Sequence, residues 1–221
     1  MGRLTEEMKE RKIKAGECAK ITQEWIKESI NLKKKILEDG NLRIKIIRSA
    51  FLLARTLENG NKILVCGNGG SASDSAHFTA EFLNQLCLGR MGALPAIDLT
   101  AFNSTITAIG NDWGYEEVFS KPLSALGNKD DVLVAISTSG TSDNILRAIK
   151  LAKMKGMYVI VLTGTEKGKE KLLSMVSDFV LNVPDDRTSI IQESHIMILH
   201  ILVNLVDYIR FGVDYLDKST W

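Results

Sequence analysis

The sequence predicts an α/β fold: a parallel sheet of five strands sandwiched by helices in three layers. Two observations predict it. Five short apolar runs stand at 63–66, 96–99, 132–136, 158–162 and 179–183, each the length of a buried strand. Helical segments alternate with them, which is the pattern of parallel strands covered on both faces. With only three prolines, no low-complexity linker and no internal repeat, the sheet belongs to a single domain.

Residues 1–60 are expected to be helical, with breaks at Asp39-Gly40-Asn41 and Asn59-Gly60 that read as helix C-terminal caps. Ile46, Ile47, Ala50, Phe51, Ala54 and Leu57 form a broad apolar stripe, so the second of these helices packs on a core. Residues 1–40 form a more polar helical arm whose Trp25, Ile26 and Ile30 need cover, which predicts a subunit contact. Residues 41–221 form the domain proper. Further helices are expected over 71–87, 104–109, 115–125, 143–155, about 169–173 and 189–211.

A formal net charge of +1 gives no general field toward nucleic acid or anionic lipid, so neither is expected as a partner. Cys18, Cys66 and Cys87 have neither metal-ligand spacing nor an even count, which excludes a disulfide scaffold and fits a reducing compartment. The Lys- and Glu-rich start lacks the apolar core of a secretory signal. The longest apolar run, 196–206, is interrupted by His200 and Asn204 and is short for a membrane span. A cytoplasmic location is expected, with function in a local site.

In a parallel sheet that site lies beyond the C-terminal strand ends. The loop Cys66-Gly67-Asn68-Gly69-Gly70-Ser71 joins a strand to a helix, where glycines admit a ligand close to the backbone and the helix start offers free N–H groups to an anion. Alone it reads equally well as a tight turn. The loop Ser137-Thr138-Ser139-Gly140-Thr141-Ser142 carries five hydroxyls, more than an N-cap requires, and points to phosphate binding without a lysine. His77 and Glu81 share a helix face at i, i+4, as a surface pair, a metal-binding pair or a proton-transfer pair. Gln192 and His200 stand a little over two turns apart on an otherwise apolar helix, where buried polar groups require partners. His195 lies on another face and reads as a core histidine.

Taken together, Cys-Gly-Asn-Gly-Gly-Ser at 66–71, His-Phe-x-x-Glu at 77–81, Ile-Gly-Asn-Asp at 109–112, Ile-Ser-Thr-Ser-Gly-x-Ser at 136–142, and Ile-Gln-Glu-x-His with His200 beyond it resemble the phosphoheptose isomerases of the sugar-isomerase (SIS) domain family. The resemblance covers about residues 20–210 in motif order and implies a flavodoxin-like SIS fold and a homotetramer with sites between subunits. It implies conversion of sedoheptulose 7-phosphate to D-glycero-D-manno-heptose 7-phosphate, the opening step toward ADP- or GDP-heptose for lipopolysaccharide or other surface glycans. It implies one zinc ion per subunit on His77, Glu81, Gln192 and His200. Substrate would be bound by Asn68, Gly69, Gly70, Ser71, Glu81, Asn111, Asp112, Ser137, Thr138, Ser139, Ser142 and Gln192. Glu81 is assigned as the carbon base and His200 as its acid/base partner.

Two positions depart from the family pattern. Gln85 and Ile190 stand where the family has Arg, and neither offers a guanidinium fork for phosphate. Arg90 and Arg187 are near enough in sequence to replace them. The alternatives are an isomerase for a different phosphosugar and a non-catalytic SIS protein that binds the replication initiator. Gly69, Gly70 and His200, which those binding proteins typically lose, are all present.

Overall fold

The computed structural model describes residues 15–84, 92–165 and 177–213. Helices α1 (Ala15–Glu38) and α2 (Gly40–Glu58) precede strand β1 (Ile63–Gly67) and helix α3 (Gly70–Leu83). Strand β2 (Ala96–Asp98), helix α4 (Asn103–Asp112), a 3₁₀ turn (Tyr115–Glu117) and helix α5 (Ser120–Leu126) follow. Strand β3 (Val132–Ser137), helix α6 (Asp143–Met154), strands β4 (Tyr158–Thr163) and β5 (Phe179–Asn182), and helix α7 (Thr188–Phe211) complete the order.

All five strands pair in parallel, in the order β2-β1-β3-β4-β5. The chain begins in the second position of the sheet, moves outward to β2 and returns past β1 to β3. That reversal opens a crevice between β1 and β3, the switch point at which such sheets bind ligands.

The strands are apolar up to their C-terminal residues because alternate residues enter two cores. Ile63, Val65, Val132, Val134, Ile136, Ile160 and Leu162 face α2, α3 and α7. Leu64, Cys66, Leu133, Ala135, Val159 and Val161 face α4, α5 and α6. Each such side chain, fully buried, contributes about 1.5–3 kcal/mol. The layers are those expected from the strand–helix alternation. By length and composition α7 is apolar enough to cross a membrane, but Ile190, Ile198, Leu199, Leu202, Val203 and Val206 are buried in the core.

Three local expectations are corrected. Asp39 serves both helices, where only a C-terminal cap was expected: its backbone N–H donates to Lys35 O at 3.0 Å at the end of α1, and its carboxylate accepts from Leu42 N at 2.9 Å and starts α2. The segment expected as one helix over 115–125 splits, because the 3₁₀ turn ends before Ser120, whose hydroxyl bonds to Glu117. Helix α3 ends at Leu83, with Asn84 as its C-cap, short of the expected residue 87. The helix expected at 169–173, together with Gln85, Cys87 and Arg90, lies outside the described residues.

Candidate active site

The glycine loop and the hydroxyl loop follow β1 and β3, so the sheet order brings them together at the crevice. They form a pocket of about 260 Å³ lined by Asn68, Gly69, Gly70, Ser71, Ser137, Thr138, Ser139 and Ser142, with Thr188 and Gln192 from α7 closing the far side. Gly69 has φ 55°, the left-handed region that glycine enters without a Cβ penalty. A Cβ at Gly70 would overlap the Gln192 side-chain amide, so glycine there lets α7 approach the start of α3.

Two of the loop hydroxyls shape the loop itself. Ser137 Oγ accepts from Gly140 N at 3.1 Å, and Ser139 Oγ accepts from Thr141 N at 3.3 Å. Ser142 occupies the N-cap position of α6, yet its hydroxyl makes no capping bond. The pocket thus offers helix N-termini, small residues and hydroxyls to an anion.

Helices α3 and α7 run side by side in the same direction. Their register sets Gln192 against Gly70 and, two turns further on, His200 against His77. His77 Nε2 and His200 Nε2 are 2.7 Å apart, with the rings edge-on at 71°. His77 Nε2 also stands 3.4 Å from Glu81 Oε1, so the i, i+4 pair is real and is joined by the last helix. Burial, then the neighbouring His77, lowers the His200 pKa, while Glu81 raises it; the net effect keeps this imidazole neutral near pH 7.

Two imidazoles and a carboxylate are a donor set that suits zinc. Tetrahedral zinc spaces two ligand nitrogens about 3.3 Å apart, so the His77–His200 contact must open slightly to admit the ion. Among the described residues no group of three His, Cys, Asp or Glu side chains is already disposed to hold a metal. Gln192, the fourth residue of the expected ligand set, lies at the pocket end of the α3–α7 seam.

Asn111 and Asp112 are exposed at the end of α4, bonded to each other at 2.8 Å, and do not line the pocket. Arg187 does not take up the grip expected of it. Its guanidinium is held by Asp185 at 3.0 Å and Glu28 at 2.8 Å beside Trp25, and Ile190 is buried in the core. Arg187→Ala is therefore expected to leave phosphosugar affinity unchanged; weakened binding in a titration would return Arg187 to the site. His195 is fully buried, as expected of a core histidine. Burial and the neighbouring Asp98 push the Cys66 thiol up, which removes it as a nucleophile. A larger groove of about 470 Å³ lies between α5 and α6, and two of its three lining cations are engaged: Lys121 stacks on Trp113 at 3.2 Å and Arg147 pairs with Glu116 and Glu117.

Sequence reasoning missed Thr188, Tyr115, Asn144 and Asp74. Asp74 stands one turn before His77 on α3, with Oδ2 buried and without a hydrogen-bond partner among the described residues. Desolvation pushes its pKa up to about 6 from 3.8, against the lowering effect of His77. A carboxyl whose folded pKa is raised adds stability fully below its unfolded pKa, and loses it as pH rises through the folded value. Asp74→Asn should therefore be more stable than the parent above about pH 6 and equal to it below about pH 4. With solvent screening at this half-buried site, the gain is about 1 kcal/mol, or about 3 °C in Tm. Thermal unfolding at the two pH values checks it.

The SIS domain family model matches residues 24–164. The phosphoheptose isomerase of Helicobacter pylori (strain P12) is 48% identical over 187 residues, 85% of this chain and 94% of that protein. The phosphoheptose isomerase of Francisella tularensis superposes with a TM-score of 0.81 at 40% identity, and that of Neisseria gonorrhoeae with 0.79 at 41%. Each superposition covers 86% of this chain and 98% of the solved one.

Proposed function

The chain belongs to the phosphoheptose isomerase family of SIS-domain proteins and is a phosphosugar isomerase, and from that premise we propose that it converts sedoheptulose 7-phosphate to D-glycero-D-manno-heptose 7-phosphate. The observation that carries this reading is the seam between α3 and α7. An anion pocket stands at its head, and the His77–His200–Glu81 cluster lies along it. From Gly70 to His77 is seven residues of helix, about 10 Å, comparable to the length of an extended seven-carbon sugar phosphate. The pocket holds the phosphate, and the chain then reaches the acid/base groups with its carbonyl end.

Aldose–ketose conversion moves one proton between neighbouring carbons. Glu81 takes a proton from C1 of the ketose while the imidazolium form of His200, the minor form near pH 7, gives one to the C2 oxygen, which leaves an enediol. In the second half the C1 hydroxyl returns its proton to the imidazole, Glu81 delivers its proton to C2, and the aldehyde forms at C1. Zinc bound through His77, Glu81, Gln192 and His200 would supply polarisation of the carbonyl.

The proposal extends to a homotetramer in the cytoplasm whose product enters heptose-nucleotide synthesis for surface glycans. Support for assembly comes from the apolar residues left exposed on α1 and α2, among them Ile21, Trp25, Ile26, Ile47 and Phe51. Sedimentation of the purified protein tests the tetramer. The function is tested by incubation with sedoheptulose 7-phosphate, with and without zinc, followed by NMR for the aldose. Aldose formation supports the reading; bound but unconverted ketose overturns it and directs the search to another phosphosugar.

A further inference from the structure

Asn68 and Asn144 face each other as a reciprocal amide pair. Asn68 Nδ2 donates to Asn144 Oδ1 at 2.9 Å, and Asn144 Nδ2 donates to Asn68 Oδ1 at 2.9 Å. The Tyr115 hydroxyl donates to the same Asn68 oxygen at 3.2 Å, and Asn144 Oδ1 also accepts from the Ile145 backbone N–H at 2.9 Å. Turning either amide over would set donor against donor or oxygen against oxygen, so the network fixes both orientations.

The location gives the pair its meaning. Asn68 belongs to the glycine loop and lines the pocket. Asn144 is 3% exposed in the first turn of α6, two residues past Ser142. The pair ties the two walls of the pocket by reciprocal side-chain hydrogen bonds. We propose that Asn144 is a positioning residue: it acts through Asn68 to hold the glycine-loop wall against the hydroxyl-loop wall at the spacing an anion needs. This rests on the reading of the pocket as the phosphate site.

The test uses a substitution whose defect can be repaired by a proton. Asn144→Asp keeps the oxygen that accepts from Asn68 and Ile145 but replaces the amide donor with a second oxygen, which meets Asn68 Oδ1 acceptor to acceptor. A protonated carboxyl donates again, and burial raises a carboxyl at this position well above the usual value of about 3.9. Asn144→Ala has no group to protonate. Wild type and both variants are titrated with inorganic sulfate, whose charge is constant over the range, at about pH 8 and about pH 5, and each affinity is taken relative to wild type at the same pH. At the higher pH both variants are expected to bind about tenfold more weakly, the effect of one lost buried hydrogen bond. At the lower pH Asn144→Asp recovers toward wild type and Asn144→Ala does not. With sedoheptulose 7-phosphate, KM rises by the same factor while kcat stays within about twofold, because the acid/base groups lie about two turns away along α3.

Unchanged sulfate affinity in both variants, or an Asn144→Asp defect that ignores pH, overturns the clamp. Sulfate binding with no isomerisation by wild type overturns the functional reading alone, and the sulfate ratios still decide the clamp. Failure of wild type to bind sulfate overturns both. Should neither variant fold, Tyr115→Phe removes a donor from the same Asn68 oxygen at a residue that is 59% exposed; a weaker affinity supports the clamp and an unchanged one overturns it.

Discussion

Glu81→Gln is expected to lower kcat for phosphosugar isomerisation by about 10²–10⁴-fold, the range that one positioned proton-transfer group supplies. The substitution preserves shape. The Glu81 side chain is only 15% exposed and stands 3.4 Å from His77 Nε2, so an isosteric amide keeps the packing and loses only the ability to take a proton. KM and the melting temperature should change little, which separates the loss from misfolding. A second consequence follows from charge. Glu81 raises the pKa of His200 against the lowering effects of burial and His77. Removal of the carboxylate therefore lowers the His200 pKa further, and the alkaline limb of the residual pH profile, set by loss of the imidazolium, moves to lower pH. Progress curves with sedoheptulose 7-phosphate across pH measure both effects. A variant with near-parental kcat would remove Glu81 from the chemistry and leave the proton transfer to the two imidazoles.

The layers of the fold were legible because burial on both faces makes 63–66 and 132–136 continuously apolar, and few other structures require that. The two pocket loops were legible for the same reason: a strand fixes where its loop emerges. The spacings of His77 with Glu81 and of Gln192 with His200 could be read along each helix. That α3 and α7 share a register, with His200 meeting His77 across 123 positions of chain, could not be read. It depends on the absence of a side chain at Gly70, which lets Gln192 sit against the helix start. Asn144 carried no signal, since an asparagine in the first turn is ordinary in helix starts that bind nothing. Arg187 misled because nearness in sequence does not fix a side chain's direction; Asp185 and Glu28 claim its guanidinium. Asp39-Gly40 misled because the same pair suits the end of one helix and the start of the next, and here α1 and α2 abut with Asp39 alone between them.

Ser142→Asp is expected to weaken phosphosugar binding by about 10³-fold without loss of stability. Ser142 has extended backbone angles at the N-cap of α6, φ −65° and ψ 120°, and its hydroxyl is not used to cap the helix. Aspartate is as good an N-cap as serine, and its charge suits the helix start. Thermal unfolding of the free protein should therefore match or exceed the parent. The same charge lines a pocket of hydroxyls and helix N-termini. A unit charge about 4 Å from one charge of a bound phosphate costs about 4 kcal/mol at the effective dielectric of such a site, which is close to the stated factor. Ser142→Ala, which removes one hydrogen bond and adds no charge, should cost only about tenfold. The gap between the two variants isolates electrostatics from contact. If both bind the sugar phosphate equally well, the anion does not sit at the start of α6. If Ser142→Asp alone collapses while its helix gains stability, the hydroxyl was kept at a position where a carboxylate would have folded just as well, because the group that fills the pocket is itself negative.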